Sequence, residues 1–452
     1  MIRRFIILLL GVIINLTDIY GQITLESCQE KARNNYPLIK QFGLIDLSQT
    51  YSLSNAGKGY LPQVTFSAKA HLQSDVTEIP PALSQILSDL SGKDVEFTSL
   101  NKDQYQLIAE ISQVVWDGGA INSQKNVIKA TGELERKKLE VDMYSLRDRV
   151  NQIFFGILAL NEQLIITDLL NKELDVNHNR VSACIENGIA ARSDLDLIRI
   201  EQLRVKQKRA GIIAAQKSFR QMLTIMTADT LCLTDSLIKP AVPVTFLSGF
   251  LSSGQLLPAQ QSPTNMSHGY DIPVNRPELA MLDAQYNLYE NQKGAVRSSV
   301  MPKVGIFAQG GYGNPGLNMF EPGFTPYYIL GARVVWNFGG LYTKKNNIRN
   351  IEVSQQNINL QKETFLFNTR LKMSQSIHEI NKIKEQLTGD QEIIALRSSI
   401  KKRAEVKVEN GTLTVSDLIR EINAESNSIQ ERAMREIELL MAIYNFQNIS
   451  NN

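Results

Sequence analysis

From residue 63 the chain alternates. Val64, Phe66, Ala68, Ala70 and Leu72 take turns with Gln63, Thr65, Ser67, Lys69, His71 and Gln73, the period of two of a strand with one apolar and one wet face. Tyr105, Leu107, Ala109 and Ile111 do the same against Gln106, Ile108, Glu110 and Ser112. Val304, Ile306, Ala308 and Tyr312 repeat the pattern, and a less regular run covers Tyr327 to Trp336. Four strands are predicted, at about 62–74, 104–116, 302–313 and 326–337.

After each Gly-Gly the period becomes helical. Leu139, Met143, Leu146, Val150, Ile153, Ile157, Leu160 and Leu164 follow a 4,3 spacing without a miss, a sustained coiled-coil seam. A helix over about 119–186 would be roughly 100 Å long at 1.5 Å per residue. Ile198, Val205, Ile212, Phe219 and Met226 recur every seven residues, and Val415, Ile419, Ile422, Ile429, Ala433, Leu440 and Ile443 keep a similar register. Long helices are predicted at about 194–228, 341–408 and 415–446, with shorter ones at the N-terminus and over 277–299. A 3.5-residue period supercoils such helices left-handedly, side by side.

Three landmarks recur in the same order. Tyr36-Pro37 leads after 25 residues to Leu61-Pro62-Gln63-Val64, and Arg276-Pro277 leads after 25 residues to Met301-Pro302-Lys303-Val304. Val114-Val115-Trp116-Asp117-Gly118-Gly119 is answered by Val334-Val335-Trp336-Asn337-Phe338-Gly339-Gly340. Glu186-Asn187-Gly188, then four residues, then Ser193-Asp194-Leu195 matches Glu409-Asn410-Gly411, four residues, Ser416-Asp417-Leu418. The chain is therefore a duplicated strand, strand, long helix, helix unit. The repeats cover 22–228 and 275–452, joined by a Pro-rich segment over 229–274 with Pro240, Pro243, Pro258, Pro263 and Pro273.

Four half-apolar strands cannot close a barrel, and the open edges of such a sheet must be paired by other copies. A dimer would supply 8 strands, a trimer 12 and a tetramer 16, and more than eight leave an aqueous passage. Gln63, Lys69, His71, Gln106 and Glu110 suit a wet lumen.

Composition narrows the partners. A net charge of +2 over 452 residues, with no block of like charges, gives nothing to attract nucleic acid. Arg3 and Arg4 precede the apolar run Phe5 to Leu16, so residues 1–21 read as a signal peptide cleaved after Gly21. After it no stretch is expected to be long and apolar enough to cross a bilayer as a helix. Cys28, Cys184 and Cys232 lie far apart, form no CxxC and are odd in number, so neither a disulfide framework nor a zinc site is indicated. Glu26 spoils a lipobox before Cys28.

With this leader and this duplicated order of motifs, the chain resembles the TolC-like outer-membrane efflux factors over nearly all of its mature length. The resemblance implies a mainly α fold with a membrane β-barrel. Three protomers would build one 12-stranded barrel in the outer membrane of a Gram-negative bacterium, continued by a long periplasmic α-helical barrel, with the middle segment wrapping the tube. It further implies a passive exit duct of an efflux or secretion system, embedded in outer-membrane lipid, docked by a periplasmic adaptor (membrane fusion) protein and fed by an inner-membrane pump of RND, ABC or MFS type. Drugs, metal ions and polypeptides all remain open as cargo. The competing reading is an exported coiled-coil scaffold without channel activity.

Gly188 and Gly411 read as left-handed C-cap residues, with Ser193 and Ser416 as N-caps of the returning helices. The resemblance makes these turns, with Leu195 and Leu418, the tips that contact the adaptor. It also sets Asp194 and Asp417 around the narrowing aperture, where three copies of two carboxylates would attract cations and help hold the tube shut. Asp196 is an alternative, and Asp194 could instead serve the helix dipole. Arg192, Arg199 and Arg420 are available partners. Pro62 and Pro302 begin strands, and with Gly118, Gly119, Gly339 and Gly340 they are expected at the junction of barrel and tube. Trp116, Trp336, Tyr105, Tyr327 and Tyr328 lie at strand ends, as an interfacial girdle would require, although packing at the junction accounts better for the two Trp. Loops 74–104 and 313–326 would face outward.

Gly311 to Gly316 spells GxGxxG after a strand, but the prolines that follow preclude the helix a dinucleotide site needs. The four His show no ligand spacing, and no nucleophile with a placed base appears. No enzyme, metal or cofactor is expected.

Overall fold

The computed structural model describes residues 23–78, 80–92, 100–188, 190–233, 235–242, 273–319, 321 and 323–451. The predicted signal peptide, and Pro243, Pro258 and Pro263 of the Pro-rich segment, lie outside the described residues. Two units are distinguished, Met1–Phe42 with Lys137–Met281 and Gln361–Asn452, and Gly43–Arg136 with Leu282–Leu360.

The alternating segments are strands, β1 (Gln63–Leu72), β2 (Asp103–Trp116), β3 (Lys303–Asn314) and β4 (Thr325–Val335). They form one antiparallel sheet in the order β1-β2-β3-β4, so the hairpins of the two repeats pair through β2 and β3. Pro62 and Pro302 sit one residue before β1 and β3, where their missing N–H costs no ladder bond. The stretch 74–104 carries an unexpected helix, Pro81–Ser91, closed by Gly92 at φ 65°. Pro81 in its first turn comes with φ already set for a helix.

Named in chain order, the α-helices among the described residues are α1 (Leu25–Asn35), α2 (Gln41–Gly57), α3 (Pro81–Ser91), α4 (Ala120–Glu186), α5 (Arg192–Thr227), α6 (Pro277–Ser299), α7 (Gly339–Glu409) and α8 (Val415–Ser450). The heptad positions do the burying. Leu139, Met143, Leu146, Val150, Ile153 and Ile157 of α4 are buried, as are Ile198, Val205 and Ile212 of α5 and Val415, Ile422, Leu440 and Ile443 of α8. Around Val150 the seam widens, because Phe154 and Phe155 are also fully buried, with α1, Leu223 and Leu440 in the same cluster. Burial contributes about 1.5–3 kcal/mol for each such ring. This corrects one sequence expectation. A window of α4 is long and apolar enough to cross a membrane by composition, but Phe154, Phe155 and Ile157 spend that apolarity on the core.

Where β2 ends, Asp117 is buried and its carboxylate accepts from the backbone N–H groups of Gly119, at 2.9 Å, and Ile121. Gly118 and Gly119 have φ of 70° and 84°. In the second repeat Asn337 takes the place of Asp117 and accepts from Gly339 N–H at 3.0 Å. Gly339 and Gly340 are the first two residues of α7, without the left-handed turn of Gly118-Gly119.

Farther along α4, Lys401 Nζ of α7 meets Glu173 of α4 at 2.6 Å and Glu425 of α8, with only 15% of the lysine side chain exposed. Burial alone would pull this ammonium down, but the hydrogen bonds to Glu173 and Glu425 outweigh it and push the group above the ordinary lysine range.

Two measurements test these contacts. A Cβ on Gly118 would stand 2.4 Å from Cβ of Met301, whereas one on Gly119 would meet nothing within 4 Å. Both carry the left-handed penalty of roughly 1–2 kcal/mol, so Gly119→Ala should cost about 1 kcal/mol and Gly118→Ala more than about 2 kcal/mol, read as thermal unfolding of the helical circular dichroism signal; equal losses would contradict the close approach. Lys401→Met leaves two carboxylates facing each other and should cost about 3 kcal/mol. Because the lysine's folded pKa is raised, the wild-type contribution is complete below the ordinary lysine value and fades only as pH climbs through the raised one, so the difference between wild type and variant should be flat through neutral pH.

Candidate functional site

Strand register sorts the side chains onto two faces. Antiparallel partners share a face, so Val64, Ile111, Ala308 and Leu330 form one row, Phe66, Ala109, Gly310 and Tyr328 the next, and Ala68, Leu107, Tyr312 and Pro326 a third. A bulge between Val114 and Trp116 flips the phase of β2, and so Trp116 joins Val304 and Val334 on this same apolar face. Among the described residues nothing covers this face, with Phe66 81% exposed and Tyr328 77%. An apolar patch of this extent is a surface for something other than water.

The opposite face carries most of the polar side chains, mixed with Ile108, Ile329, Phe307 and Tyr327. Its rows are Lys69, Gln106, Gly313 and Thr325, then Ser67, Ile108, Gly311 and Tyr327, then Thr65, Glu110, Gln309 and Ile329, then Gln63, Ser112, Phe307 and Gly331. Tyr327 lies over Gly311, where a Cβ would fall 2.1 Å from the ring, and Phe307 lies over Gly331. Arg333 sits 4.7 Å above the Phe307 ring and 3.6 Å from the Glu110 carboxylate. The outer edges of β1 and β4 pair with no other strand among the described residues.

Both helix turns close in the same way. Gly188 and Gly411 are left-handed at φ 72° and 67°, and each donates its N–H to the carbonyl three residues back, Ile185 and Val408, at 3.0 Å. Thr412 N–H reaches Lys407 O at 2.8 Å, completing the second C-cap as a Schellman motif. The side chains of Asn187 and Asn410 also match, donating to the carbonyls of Ala183 and Val406.

The N-caps fall two residues earlier than expected. Thr414 caps α8, its Oγ1 accepting from Asp417 N–H at 3.2 Å, and Ala191 is the cap residue of α5. Ser193 and Ser416 are exposed second residues of their helices. The reason is Asp at the third helical position. Asp194 accepts from Ala191 N–H at 3.0 Å, the reciprocal half of a capping box, and Asp417 reaches back instead to the Thr414 hydroxyl, accepting from it at 2.7 Å. Asp417 also pairs with Arg420 one turn on, at 3.1 Å, whereas Asp196 is exposed.

Gly188 and Gly411 are exposed and Leu195 is half-buried. Leu418 departs from expectation. It is 1% exposed and packs with Val408, Val415 and Ile422, so it anchors the turn from inside and offers nothing to a partner. Trp336 is fixed at the end of β4, its Nε1–H donating to Val300 O at 3.2 Å and its ring 4.5 Å from that of Phe338. The buried Asp117 and the Thr414 cap escaped the sequence reading, although Asp before Gly-Gly and Thr three residues before Asp are both visible capping signals.

No protein-family model matches the sequence, and no curated protein matches it by sequence. Solved structures do. The chain is similar to the outer-membrane channel OprN (13% identity, covering 95% of this chain and 90% of that one, TM-score 0.63). It is similar to the outer-membrane protein VceC from Vibrio cholerae (10% identity, covering 94% and 96%, TM-score 0.61). It is also similar to the Campylobacter jejuni CmeC outer membrane channel (12% identity, covering 96% and 87%, TM-score 0.60). At such low identity the likeness shows the fold alone, and the chain shares the fold of these outer-membrane proteins.

Proposed function

We propose that the chain is one third of an outer-membrane exit duct, a homotrimer whose 12-stranded barrel is continued by a periplasmic helical tube. One observation carries the reading: a sheet with one apolar face, one polar face and two outer edges unpaired by any described strand. In lipid every backbone N–H and C=O must be bonded, which a closed barrel alone achieves for strands. Three copies joined from β4 to β1 satisfy the edges, turn the apolar face to the bilayer and leave the polar face around water. A coiled-coil scaffold would leave Phe66, Tyr328 and Leu330 in solvent and gives the apolar face no occupant.

The duct is passive, opening to the outside and docked at its periplasmic end by an adaptor protein that links it to an inner-membrane pump. The two turns at Gly188 and Gly411 are the docking tips. Six carboxylates, Asp194 and Asp417 from each copy, ring the aperture beside them. Their positions at the helix N-termini hold them in fixed places, which suits a cation-selective constriction.

Detergent extracts of outer membranes should therefore yield a trimer that conducts in planar bilayers, and a freely soluble monomer without pore activity would sink the proposal. For the aperture, Asp194→Asn with Asp417→Asn removes the charge while keeping a hydrogen-bond acceptor. Single-channel conductance should rise severalfold and cation selectivity fall. If only the paired Ala variants change conductance, loss of the caps is responsible and the carboxylate ring is wrong.

A further inference from the structure

Cys28 and Cys232 are separated by more than 200 residues of sequence, yet the fold buries both in one core cluster. Cys28 belongs to α1 and Cys232 to the short 3-10 turn Thr230–Leu233 that follows α5. Each thiol acts on the other, so that Cys28 is pushed up while Cys232 is held below its ordinary range. Thr227 Oγ1 stands 3.6 Å from the Cys232 sulfur.

The backbones on both sides are pinned together. Lys31 of α1 pairs with Asp229 at 2.6 Å. Arg220 donates to the carbonyls of Cys232 and Asp235 at 3.0 and 2.8 Å, and Ile238 N–H donates to Ile23 O at 3.1 Å. The two segments that carry the thiols are thus held together by fixed neighbours. Cys184, the third thiol, is buried in α4 close to the first helix turn.

We propose that Cys28 and Cys232 are joined by an intrachain disulfide in the exported protein, clasping α1 to the segment that leaves α5. The proposal rests on the outer-membrane reading above, because such bonds persist in oxidising compartments. The oxidant is the disulfide of a protein thiol–disulfide oxidoreductase. The Cys232 thiolate attacks one donor sulfur, forming a mixed disulfide and expelling the other donor sulfur as a thiolate. Cys28 then loses its proton and attacks the Cys232 sulfur, and the second donor thiolate leaves. Two thiols of the chain are oxidised, the donor disulfide is reduced, and the donor dithiol carries away both protons. Since each cysteine is only 1% exposed, exchange occurs before this core closes, and the finished bond is shielded from reductants.

The experiment counts thiols. Full-length protein, with its leader, is expressed in a Gram-negative host. The outer-membrane fraction is denatured in excess N-ethylmaleimide without reductant, and mass spectrometry follows. One adduct per chain, at Cys184, is expected, rising to three after reduction, with a peptide pair linking residues 28 and 232. Cys28→Ser or Cys232→Ser should each give two adducts without reductant, while Cys184→Ser should give none. Three adducts on unreduced wild type in that fraction would overturn the bridge and leave the channel reading standing. A bond between chains, seen as a dimer on a non-reducing gel, would overturn it too. Absence from the outer membrane overturns the channel reading instead. The count is then made on protein refolded in glutathione and glutathione disulfide, where a single adduct supports the pairing and three reject it.

Discussion

Backbone hydrogen bonding at a strand edge is the constraint from which the remaining architecture follows. The sheet satisfies its own ladder from β1 to β4, including the join between the two repeats at β2 and β3, and leaves outward-facing donors and acceptors on its first and last strands. Edges of this kind bind other chains unless something covers them. One repeat supplies only two strands, and duplication doubles that within a chain, so fewer copies are needed to go round. Symmetric copies of the same sheet are the simplest cover, since β4 of one can extend the ladder at β1 of the next.

A second requirement is met at the ends of the long helices. Chains that reverse between helices of 67 and 36 residues must do so without leaving carbonyls and amides bare. Here a left-handed glycine finishes one helix and an aspartate at the third position starts the next, in both repeats. The matching Asn side chains show the same C-terminal ending in both repeats, while the N-caps differ, Ala191 in one and Thr414 in the other.

Much of this was legible in the sequence because periodicity is a direct record of what each face touches. Strand alternation located all four strands within a few residues, and the heptad positions of α4, α5 and α8 named about half of their buried apolar side chains. What escaped had no local signature or a misleading one. Ser before Asp looks like a cap, but the carboxylate at the third position reaches back to residue 191 or 414 and moves the start of the helix with it. Leu418 looks like part of an exposed tip, yet the helix turns it inward beside Val415. The partnership of Cys28 with Cys232 depends on a fold that brings distant segments together, which no spacing rule encodes.

The glycines beneath Tyr327 and Phe307 carry a geometric implication for transport. A ring standing upright on a strand would project its full length into any lumen, but a ring reclining on a neighbouring glycine adds little more than its own thickness. Gly311 and Gly331 are what permit that posture. If the polar face lines a pore, bulky aromatics have been admitted to its wall with minimal loss of bore, and a methyl group at either glycine would narrow the passage by tipping its aromatic neighbour upright.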